Sequence, residues 1–297
     1  MIRSITLTDD HSEIIPYNIP DLPVKTGFSK RSDFPFLTIA NHWHSDFEFF
    51  YVVSGKVGYI VDGVQCTVKK GQMIFVNSAR LHYSFWEDEQ DCEYLCTIFH
   101  PSLLDSRVAQ KYLSDITNEK SPSYLILHPE IPREKELIDF VIAFNHAAEQ
   151  ANPGYEFTMF SCVYEIMQRL FALIQAMPES VPKDSRQLDA MHRMVGFIQQ
   201  NYTDKITLTE IAEAGFVSKT SCGEIFKKYA GKPPVEYLNA YRIGKSAELL
   251  LSGSGTITEV AQQCGFCSAS YYIETFRKVL GCTPTVYRQK INATDLS

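Results

Sequence analysis

The sequence lacks the features that mark membrane and secreted proteins. No apolar run approaches the roughly 20 residues that a membrane-spanning helix needs, and the first residues contain no apolar signal segment. The eight cysteines are scattered through apolar surroundings, without the dense and regular spacing of a disulfide scaffold. These absences predict a cytoplasmic protein with reduced cysteines and no membrane partner.

The chain does contain enough apolar material for two compact domains. It has 297 residues, of which 45% are hydrophobic, and its net charge is −7. Residues 1–185 carry 15 basic and 25 acidic side chains, whereas residues 186–297 carry 13 basic and 10 acidic ones. A mildly basic end on an acidic body is compatible with an anionic partner for that end alone.

The basic end contains an internal repeat. Residues 215–237 (GFVSKTSCGEIFKKYAGKPPVEY) align with residues 265–287 (GFCSASYYIETFRKVLGCTPTVY) at a constant offset of 50. The matching pairs are Gly215 and Gly265, Phe216 and Phe266, Ser218 and Ser268, Phe226 and Phe276, Gly231 and Gly281, Pro234 and Pro284, and Tyr237 and Tyr287. The sequence therefore predicts two copies of one structural unit.

The start of each copy predicts a short helix. Thr207 with Glu210, and Thr256 with Glu259, have the T-x-x-E spacing of a capping box, in which two side chains satisfy the free N–H groups of the first turn. We expect the two short helices to end near residues 214 and 264.

The residues after each short helix predict a tight turn and a second helix. We expect Gly215 and Gly265 to take a positive φ at the helix ends. Ser218 and Ser268 are placed to cap the following helices. A helix, a tight turn and a second helix form a helix-turn-helix motif.

The second helix of each copy has an apolar and a polar face. The expected core residues are Cys222, Ile225, Phe226 and Tyr229, and then Tyr272, Thr275, Phe276 and Val279. The candidates for contact with DNA bases are Thr220, Gly223, Glu224 and Lys227, and then Ala269, Ser270, Glu274 and Arg277. The candidates for contact with phosphate are Lys219, Lys227, Lys228, Lys232, Arg277 and Lys278.

A helical packing unit without a nucleic-acid partner is the alternative interpretation of this repeat. The duplication, the matched caps and the paired basic residues favour double-stranded DNA as the partner.

Residues 190–291 resemble the DNA-binding domain of the AraC/XylS family of bacterial transcription regulators. The resemblance is carried by ITEVAQQCGFCSASYYIETFRKVLGCTPTVYR, which follows the family pattern at long, fixed spacing. It implies one long helix, about residues 235–251, between the two units, so that both recognition helices face two successive major grooves. It also implies a dimer, RNA polymerase as a partner and the bacterial cytoplasm as the location.

The recognition helices depart from the family pattern in their acidic residues. Glu224 and Glu274 stand where many relatives have arginine or glutamine, and Gly223 offers no side chain. A glutamate can accept a hydrogen bond from cytosine N4, and DNA shape can also contribute to recognition.

The front half has the pattern of an antiparallel β-barrel or jelly roll. Short β-branched and aromatic runs alternate with glycines, and Asp62–Gly63 between VGYIV and VQCTV predicts a hairpin. His42, His44 and Glu48 are separated by even numbers, so a continuous strand would place them on one face.

The same residues resemble the cupin motifs. His42, His44, Glu48 and Gly55 match the first motif, and Gly71 and His82 stand in the second, although Asn77 and Ala79 replace its usual proline and glycine. The resemblance implies a cupin barrel over about residues 25–100.

The polar cluster has three interpretations. His42, His44, Glu48 and His82 could bind a divalent metal, hydrogen-bond a small organic effector, or only pack the barrel. Neighbouring aromatic residues favour an effector, with a carbohydrate as the first choice, because aromatic rings stack on the apolar faces of sugars. The candidate ligand-binding residues are His42, His44, Glu48, Tyr59, His82 and Trp86, with Trp43 and Tyr83 nearby in sequence.

The residues after 133 have helical periodicity. One predicted stripe is Leu137, Val141, Phe144 and Ala148, and the second, after NPG at 152–154, is Phe157, Phe160, Tyr164, Met167, Phe171 and Ile174. The family resemblance implies that these helices support a homodimer, and intrachain packing is the alternative.

The sequence as a whole predicts an α+β, multidomain protein without catalytic activity. Residues 1–177 form a cupin-like antiparallel β-barrel with appended helices over about 133–177, residues 178–187 form a linker, and residues 188–297 form an all-α domain with two helix-turn-helix motifs. The predicted function is a sequence-specific transcription regulator, an activator that responds to a small-molecule effector. The rivals are a cupin metalloenzyme with a DNA-binding tail and a constitutive regulator with a structural barrel.

Overall fold

The computed structural model describes residues 6–7, 13–33, 42–85, 91–104, 106–118, 120–177, 185–251 and 255–294. The chain divides into two compact units, one of residues 12–185 and one of residues 1–11 with 186–297. Residues 178–184 of the predicted linker lie outside the described residues, and the next helix begins at Ser185, inside that predicted linker.

The strands belong mainly to the first unit. They are β1 (Thr6–Leu7), β2 (Glu13–Ile14), β3 (Val24–Lys30), β4 (Phe47–Ser54), β5 (Lys56–Val61), β6 (Val64–Lys69), β7 (Met73–Val76), β8 (His82–Phe85), β9 (Glu93–Phe99) and β10 (Tyr124–Leu127). A five-stranded antiparallel sheet has the order β10-β7-β4-β9-β3, and a three-stranded antiparallel sheet has the order β6-β5-β8. The predicted antiparallel architecture is confirmed.

The helices follow the strands along the chain. They are α1 (Arg107–Thr117), α2 (Pro132–Gln150), α3 (Tyr155–Gln175), α4 (Ser185–Asn201), α5 (Leu208–Ala214), α6 (Lys219–Ala230), α7 (Pro234–Leu251), α8 (Ile257–Gln263), α9 (Ala269–Leu280) and α10 (Pro284–Thr294). Helix α1 and strand β10 were not predicted from the sequence.

Strand β4 separates two hydrophobic clusters. Because successive side chains point to opposite faces of a strand, Phe47 and Phe49 contribute to the cluster that includes residues of α2 and α3, whereas Phe50 and Val52 contribute to a cluster with residues of β5, β6 and β7. The second cluster draws on both sheets, so it forms the interior of the barrel. Glu48 lies two residues before Phe50 and therefore faces this interior.

The predicted hairpin at Asp62–Gly63 is confirmed. Asp62 and Gly63 have φ of 47° and 78° between β5 and β6, as a two-residue type I′ turn requires.

The predicted stripe of helix α3 is only partly buried. Met167 and Ile174 of the predicted stripe are buried, but Phe157 is 82% exposed and Tyr164 is 49% exposed. The buried residues of α3 are Met159, Cys162, Val163, Ile166, Met167, Leu170, Leu173 and Ile174. The helix has apolar residues on two faces, and periodicity alone does not tell which face meets the barrel.

Helix α3 also corrects the expectation that no segment has the length and composition of a membrane span. By length and composition alone, this helix is long and apolar enough to cross a membrane. Its buried face packs within the hydrophobic core of the first unit, and a core helix with this composition gives the same result.

The second unit contains the two predicted helix-turn-helix motifs. Both capping boxes are present, at Thr207 with Glu210 and at Thr256 with Glu259. Helix α7 packs against both motifs, as the resemblance implied for residues 235–251. The long helix thus joins the two copies into one body.

Two details of the repeat differ from the prediction. Gly215 has φ of −81°, and the positive φ of 55° belongs to Phe216 instead, whereas Gly265 has the predicted positive φ of 77°. Val279 is 38% exposed instead of buried. The other predicted core residues of α6 and α9 are buried.

Candidate functional site

Helices α6 and α9 begin with the same local structure. The Ser218 hydroxyl accepts a hydrogen bond from the Ser221 N–H at 3.1 Å, and the Ser268 hydroxyl accepts one from the Tyr271 N–H at 3.4 Å. These caps stabilise the helix starts, where the predicted DNA contacts begin.

The predicted DNA-contacting residues lie on the outer face of the two helices. The exposed ones are Lys219, Thr220, Glu224, Lys227, Lys228, Ser270, Glu274, Arg277 and Lys278, and the half-buried ones are Gly223 and Ala269. Their exposure leaves them accessible to a partner. Their roles at DNA remain predictions.

Lys228 is held toward α4. Its Nζ donates a hydrogen bond to Gln187 Oε1 at 2.7 Å and lies 4.8 Å from the centre of the Tyr229 ring. Lys232 is half-buried in the turn after α6, and burial lowers the pKa of its ammonium group. Lys227 is therefore freer than these two lysines to reach a phosphate.

Two exposed residues of α9 were not predicted as site residues. Tyr271 is 49% exposed and Ile273 is 37% exposed, where the first copy has Ser221 and Gly223. The Tyr271 hydroxyl accepts a hydrogen bond from Asn239 Nδ2 at 2.8 Å. The repeat alignment could have identified Ile273, because position 273 corresponds to the selected Gly223.

The barrel brings the four polar candidates together. His42, His44, Glu48 and His82 each offer one ligand atom, and these atoms lie within 4.8 Å of one another. All four side chains are buried in the barrel. The sequence-predicted cluster is therefore present as a structural feature.

The cluster does not arise from one continuous strand. Strand β4 begins at Phe47, and His42 instead forms an isolated bridge with His82 through two backbone hydrogen bonds of 2.9 and 3.1 Å. His44 lies in the irregular segment between that bridge and β4. The expectation of a single strand face was wrong, and a loop and two strands position the cluster.

Glu48 is the centre of the cluster. Its Oε1 accepts a hydrogen bond from the Tyr59 hydroxyl at 3.0 Å, and its Oε2 lies 3.3 Å from His82 Nε2 and 3.6 Å from His44 Nε2. Burial by itself raises the pKa of Glu48, but the two imidazoles hold that pKa well below its usual range. Burial and the Glu48 charge raise the pKa of Tyr59 well above its usual value. The carboxyl group is thus ionised and Tyr59 is a neutral hydrogen-bond donor.

The two imidazoles are oriented by backbone carbonyl groups. His44 Nδ1 lies 3.2 Å from the Asp46 carbonyl oxygen, and His82 Nδ1 lies 2.8 Å from the Arg80 carbonyl oxygen. A carbonyl oxygen accepts only, so Nδ1 carries the proton in both rings. With Nδ1 used in this way, Nε2 of each ring faces the carboxylate. A protonated ring donates to Glu48 from Nε2, which is the contact that lowers the Glu48 pKa, whereas a neutral ring presents a lone pair there that only a bridging cation or hydrogen-bond donor would stabilise.

The aromatic candidates are placed differently. Tyr59 is buried beside Glu48, and Tyr83 and Trp43 are half-buried. Trp86 lies outside the described residues. Of the aromatic candidates, Tyr59 has a hydrogen bond to the cluster among the described contacts.

Comparisons with known proteins match each half of the chain separately. Residues 36–98 match the family described as a cupin domain, and residues 211–290 match the family described as a helix-turn-helix domain.

Full-length similarity is found to a transcription regulator. The uncharacterised HTH-type transcriptional regulator YdeC of Bacillus subtilis is 28% identical over 292 residues, which are 97% of this chain and 99% of that protein. The lactose operon transcription activator of Staphylococcus xylosus is 27% identical over 171 residues, 56% of this chain and 58% of that protein. The regulatory protein PocR of Salmonella typhimurium is 31% identical over 111 residues, 37% of this chain and 35% of that protein.

Proposed function

We propose that the chain is a transcription regulator of the AraC family, with a cupin domain ahead of an AraC-type helix-turn-helix domain, and that it binds operator DNA through α6 and α9. Each helix enters a major groove, and α7 holds the two helices so that they reach successive grooves, about 34 Å apart. The observation that carries this proposal is the duplicated motif with matched caps and an exposed polar face in both copies.

Salt dependence tests DNA binding directly. The full chain should bind a random duplex with an affinity that falls as salt rises, because each cation that neutralises a phosphate releases a counterion. Replacing Lys227 and Arg277 by alanine should lower the slope of log affinity against log salt by about 1 per contact.

A matched control uses exposed lysines of the barrel. Replacing Lys69 and Lys70 by alanine removes the same charge from the other unit and should leave the slope unchanged. The proposal fails when the full chain shows no salt-sensitive binding to any duplex.

We propose that the barrel senses a small polar effector at the Glu48 cluster. The support is the convergence of an ionised carboxylate, two oriented imidazoles and a tyrosine hydroxyl inside an apolar barrel, where unmatched polar groups are costly. A carbohydrate is the first candidate, because one relative is named as a lactose operon activator.

Calorimetric titration with mono- and disaccharides tests this assignment. A sugar that binds should release less heat with Tyr59→Phe and Glu48→Gln, which remove a hydroxyl and a charge from the cluster. Tyr112→Phe, on the 41% exposed Tyr112 of α1, is the control. Absence of heat with every sugar class rejects the carbohydrate.

A divalent metal is the second candidate for the same cluster. Three imidazoles and one carboxylate within 4.8 Å form a donor set that suits zinc, iron or manganese. Elemental analysis of purified protein, followed by titration with each metal alone, should give one ion per chain and none with His82→Ala. His146→Ala, on the exposed face of α2, is the control. A stoichiometric redox metal would favour the cupin-enzyme alternative over a purely regulatory barrel.

We propose that the exposed face of α3 forms a homodimer interface. Phe157 and Tyr164 are 82% and 49% exposed, seven residues apart, and the half-buried Phe160 and Phe171 lie on the same side of the helix. Sedimentation should show that Phe157→Ser with Tyr164→Ser shifts a dimer toward monomer. Val108→Ser, on a 70% exposed valine of α1, should have no such effect.

Effector binding then controls DNA occupancy. An effector that binds one arrangement of the dimer ten times more tightly shifts the equilibrium by about 1.4 kcal/mol. Footprints with and without effector should differ, and identical footprints would reject coupling at the binding step. Activation through RNA polymerase in the bacterial cytoplasm is the outcome we propose.

A further inference from the structure

The two recognition helices present the same three chemical groups in the same order. A hydroxyl, a carboxylate and a cation recur at i, i+4 and i+7, which lie on one face of a helix. These residues are Thr220, Glu224 and Lys227 on α6, and Ser270, Glu274 and Arg277 on α9. All six side chains are exposed.

The two carboxylates of this stripe have no partner within residues 185–251 and 255–294. Lys228, four residues after Glu224, is the usual partner for a helical ion pair, but its Nζ is bonded to Gln187 Oε1 at 2.7 Å. Glu274 likewise has no hydrogen bond or ion pair with Lys278 or any other described residue. Both carboxylates are therefore available to an external donor.

The phosphates repel a carboxylate on a DNA-facing helix. Its presence there is favourable only where a base offers it a hydrogen-bond donor. A carboxylate only accepts hydrogen bonds. In the major groove guanine and thymine present acceptors, and adenine presents its N6 donor beside the N7 acceptor. Cytosine presents the N4 donor without a neighbouring acceptor on the same base. Cytosine is thus the base that best matches an unpaired glutamate.

We propose that Glu224 and Glu274 each select a cytosine, one in each half of the operator. This inference rests on the proposed DNA-binding function. Since successive major grooves on one side of the duplex are one turn apart, the two cytosines should lie about 10 base pairs apart. The operator then carries one such cytosine in each half, although the flanking contacts differ because Gly223 of α6 corresponds to Ile273 of α9.

Selection from a randomised duplex library with the full chain tests this pair of contacts. Wild type should enrich two cytosines one turn apart. Glu224→Gln should lose the preference at one position and Glu274→Gln at the other, with discrimination against other bases falling roughly 5- to 100-fold. Glutamine should shift each position toward adenine, because an amide matches the adenine N6 and N7 groups.

Glu213→Gln is the matched control, because Glu213 is an exposed acidic residue of α5 outside the stripe. It removes the same charge and should leave both cytosine preferences unchanged. A general rise in affinity without a change in base preference, or cytosines that survive both glutamine variants, would overturn the assignment. Salt-sensitive binding of wild type to random duplex separates that failure from a failure of DNA binding itself.

Discussion

The two helix-turn-helix motifs contain the same Gly-Phe dipeptide in their turns but use it in different ways. In the second motif Gly265 has φ of 77° and Phe266 is buried, with an exposed fraction of 3%. In the first motif Gly215 has a helical φ, and Phe216 has φ of 55° and is 83% exposed. One sequence element therefore occupies two different positions of the same turn.

The reason lies in the starts of the preceding helices. The Gly-Phe pairs are 50 residues apart, but the capping threonines Thr207 and Thr256 are 49 residues apart. In both motifs the positive φ falls nine residues after the capping threonine, at Phe216 and at Gly265. The helix cap thus sets the position of the turn, and the dipeptide is displaced by one residue relative to it.

In each motif the residue after the one with positive φ forms a hydrogen bond back to the preceding helix. The Val217 N–H donates to the Ala212 carbonyl oxygen, and the Phe266 N–H donates to the Ala261 carbonyl oxygen, both at 3.0 Å. This is the hydrogen bond of a Schellman motif, whose following residue makes an apolar contact with the helix. Val217 takes in the first copy the place that Phe266 takes in the second.

The largest expected difference between the copies concerns their phenylalanines. Phe266→Ala should destabilise the second unit by about 3–5 kcal/mol, because Phe266 packs 5.1 Å from the Tyr272 ring in the core. Phe216→Ala should change stability by less than about 1 kcal/mol, since the exposed Phe216 ring loses its contact with the Arg193 guanidinium, which lies 5.2 Å from the ring centre. Hydrogen exchange of α5 and α8 peptides measures both, and equal losses would contradict the comparison.

The glycines should give the next largest difference. A Cβ on Gly265 would collide with the Tyr202 carbonyl oxygen and lie 2.8 Å from the Thr203 carbonyl oxygen, at a φ that alanine disfavours. Gly265→Ala should cost about 3 kcal/mol or more. Gly215→Ala meets the flexible Met194 side chain, 2.7 Å away, and should cost about 1–2 kcal/mol. Urea denaturation followed by circular dichroism gives the order, and a larger loss for Gly215→Ala would reverse the argument.

The capping boxes should behave alike in both copies. Thr207→Ala and Thr256→Ala should each cost about 1 kcal/mol, because each removes one side-chain cap and its partner hydrogen bonds. Unequal losses in the same denaturation assay would show that the two caps are not equivalent. The caps would then not set the position of the turn in the same way in both motifs.

The capping glutamates add a pH dependence with a defined sign. Hydrogen bonds from Thr207 lower the pKa of Glu210, and those from Thr256 lower the pKa of Glu259. A folded-state pKa below the unfolded value stabilises the fold above that unfolded value, near pH 4.3, and the stabilisation is lost as pH falls through the lowered pKa. Glu210→Gln and Glu259→Gln should flatten the stability profile in this acidic range.

The smallest expected effect is a gain in stability. Phe216→Gly should stabilise the first motif by about 0.5 kcal/mol, because glycine adopts φ of 55° without steric strain. The thermal midpoint measures this gain, with Phe216→Ala as the control that keeps the strained backbone. A lower midpoint for glycine than for alanine would place the strain elsewhere.

The sequence predicted the polar cluster but not its support. The spacing of His42, His44 and Glu48 identified the residues, and they do converge with His82. The predicted strand was wrong, because pairing between His42 and His82 precedes a loop that reorients the chain before β4. The backbone pairing of His42 with His82, 40 residues apart, sets the path of the chain here, and a local sequence pattern does not reveal that pairing.

Helix α3 is a second case in which a local sequence pattern does not determine the packing. Its helical period was predicted correctly, but the predicted stripe combines the exposed Phe157 and Tyr164 with the buried Met167 and Ile174. Both faces are apolar, so only packing against the barrel selects the one that contains Ile166 and Leu170.

Local hydrogen bonding and periodicity in the sequence by themselves determined the two-part architecture, the capped helices, the hairpin and the residues of the polar cluster. These features depend on groups a few residues apart. The tertiary structure alone decided which face of α3 is buried and how the histidines meet Glu48. Those outcomes depend on contacts between segments far apart in the chain, where close packing and buried hydrogen bonds permit one arrangement and exclude the others.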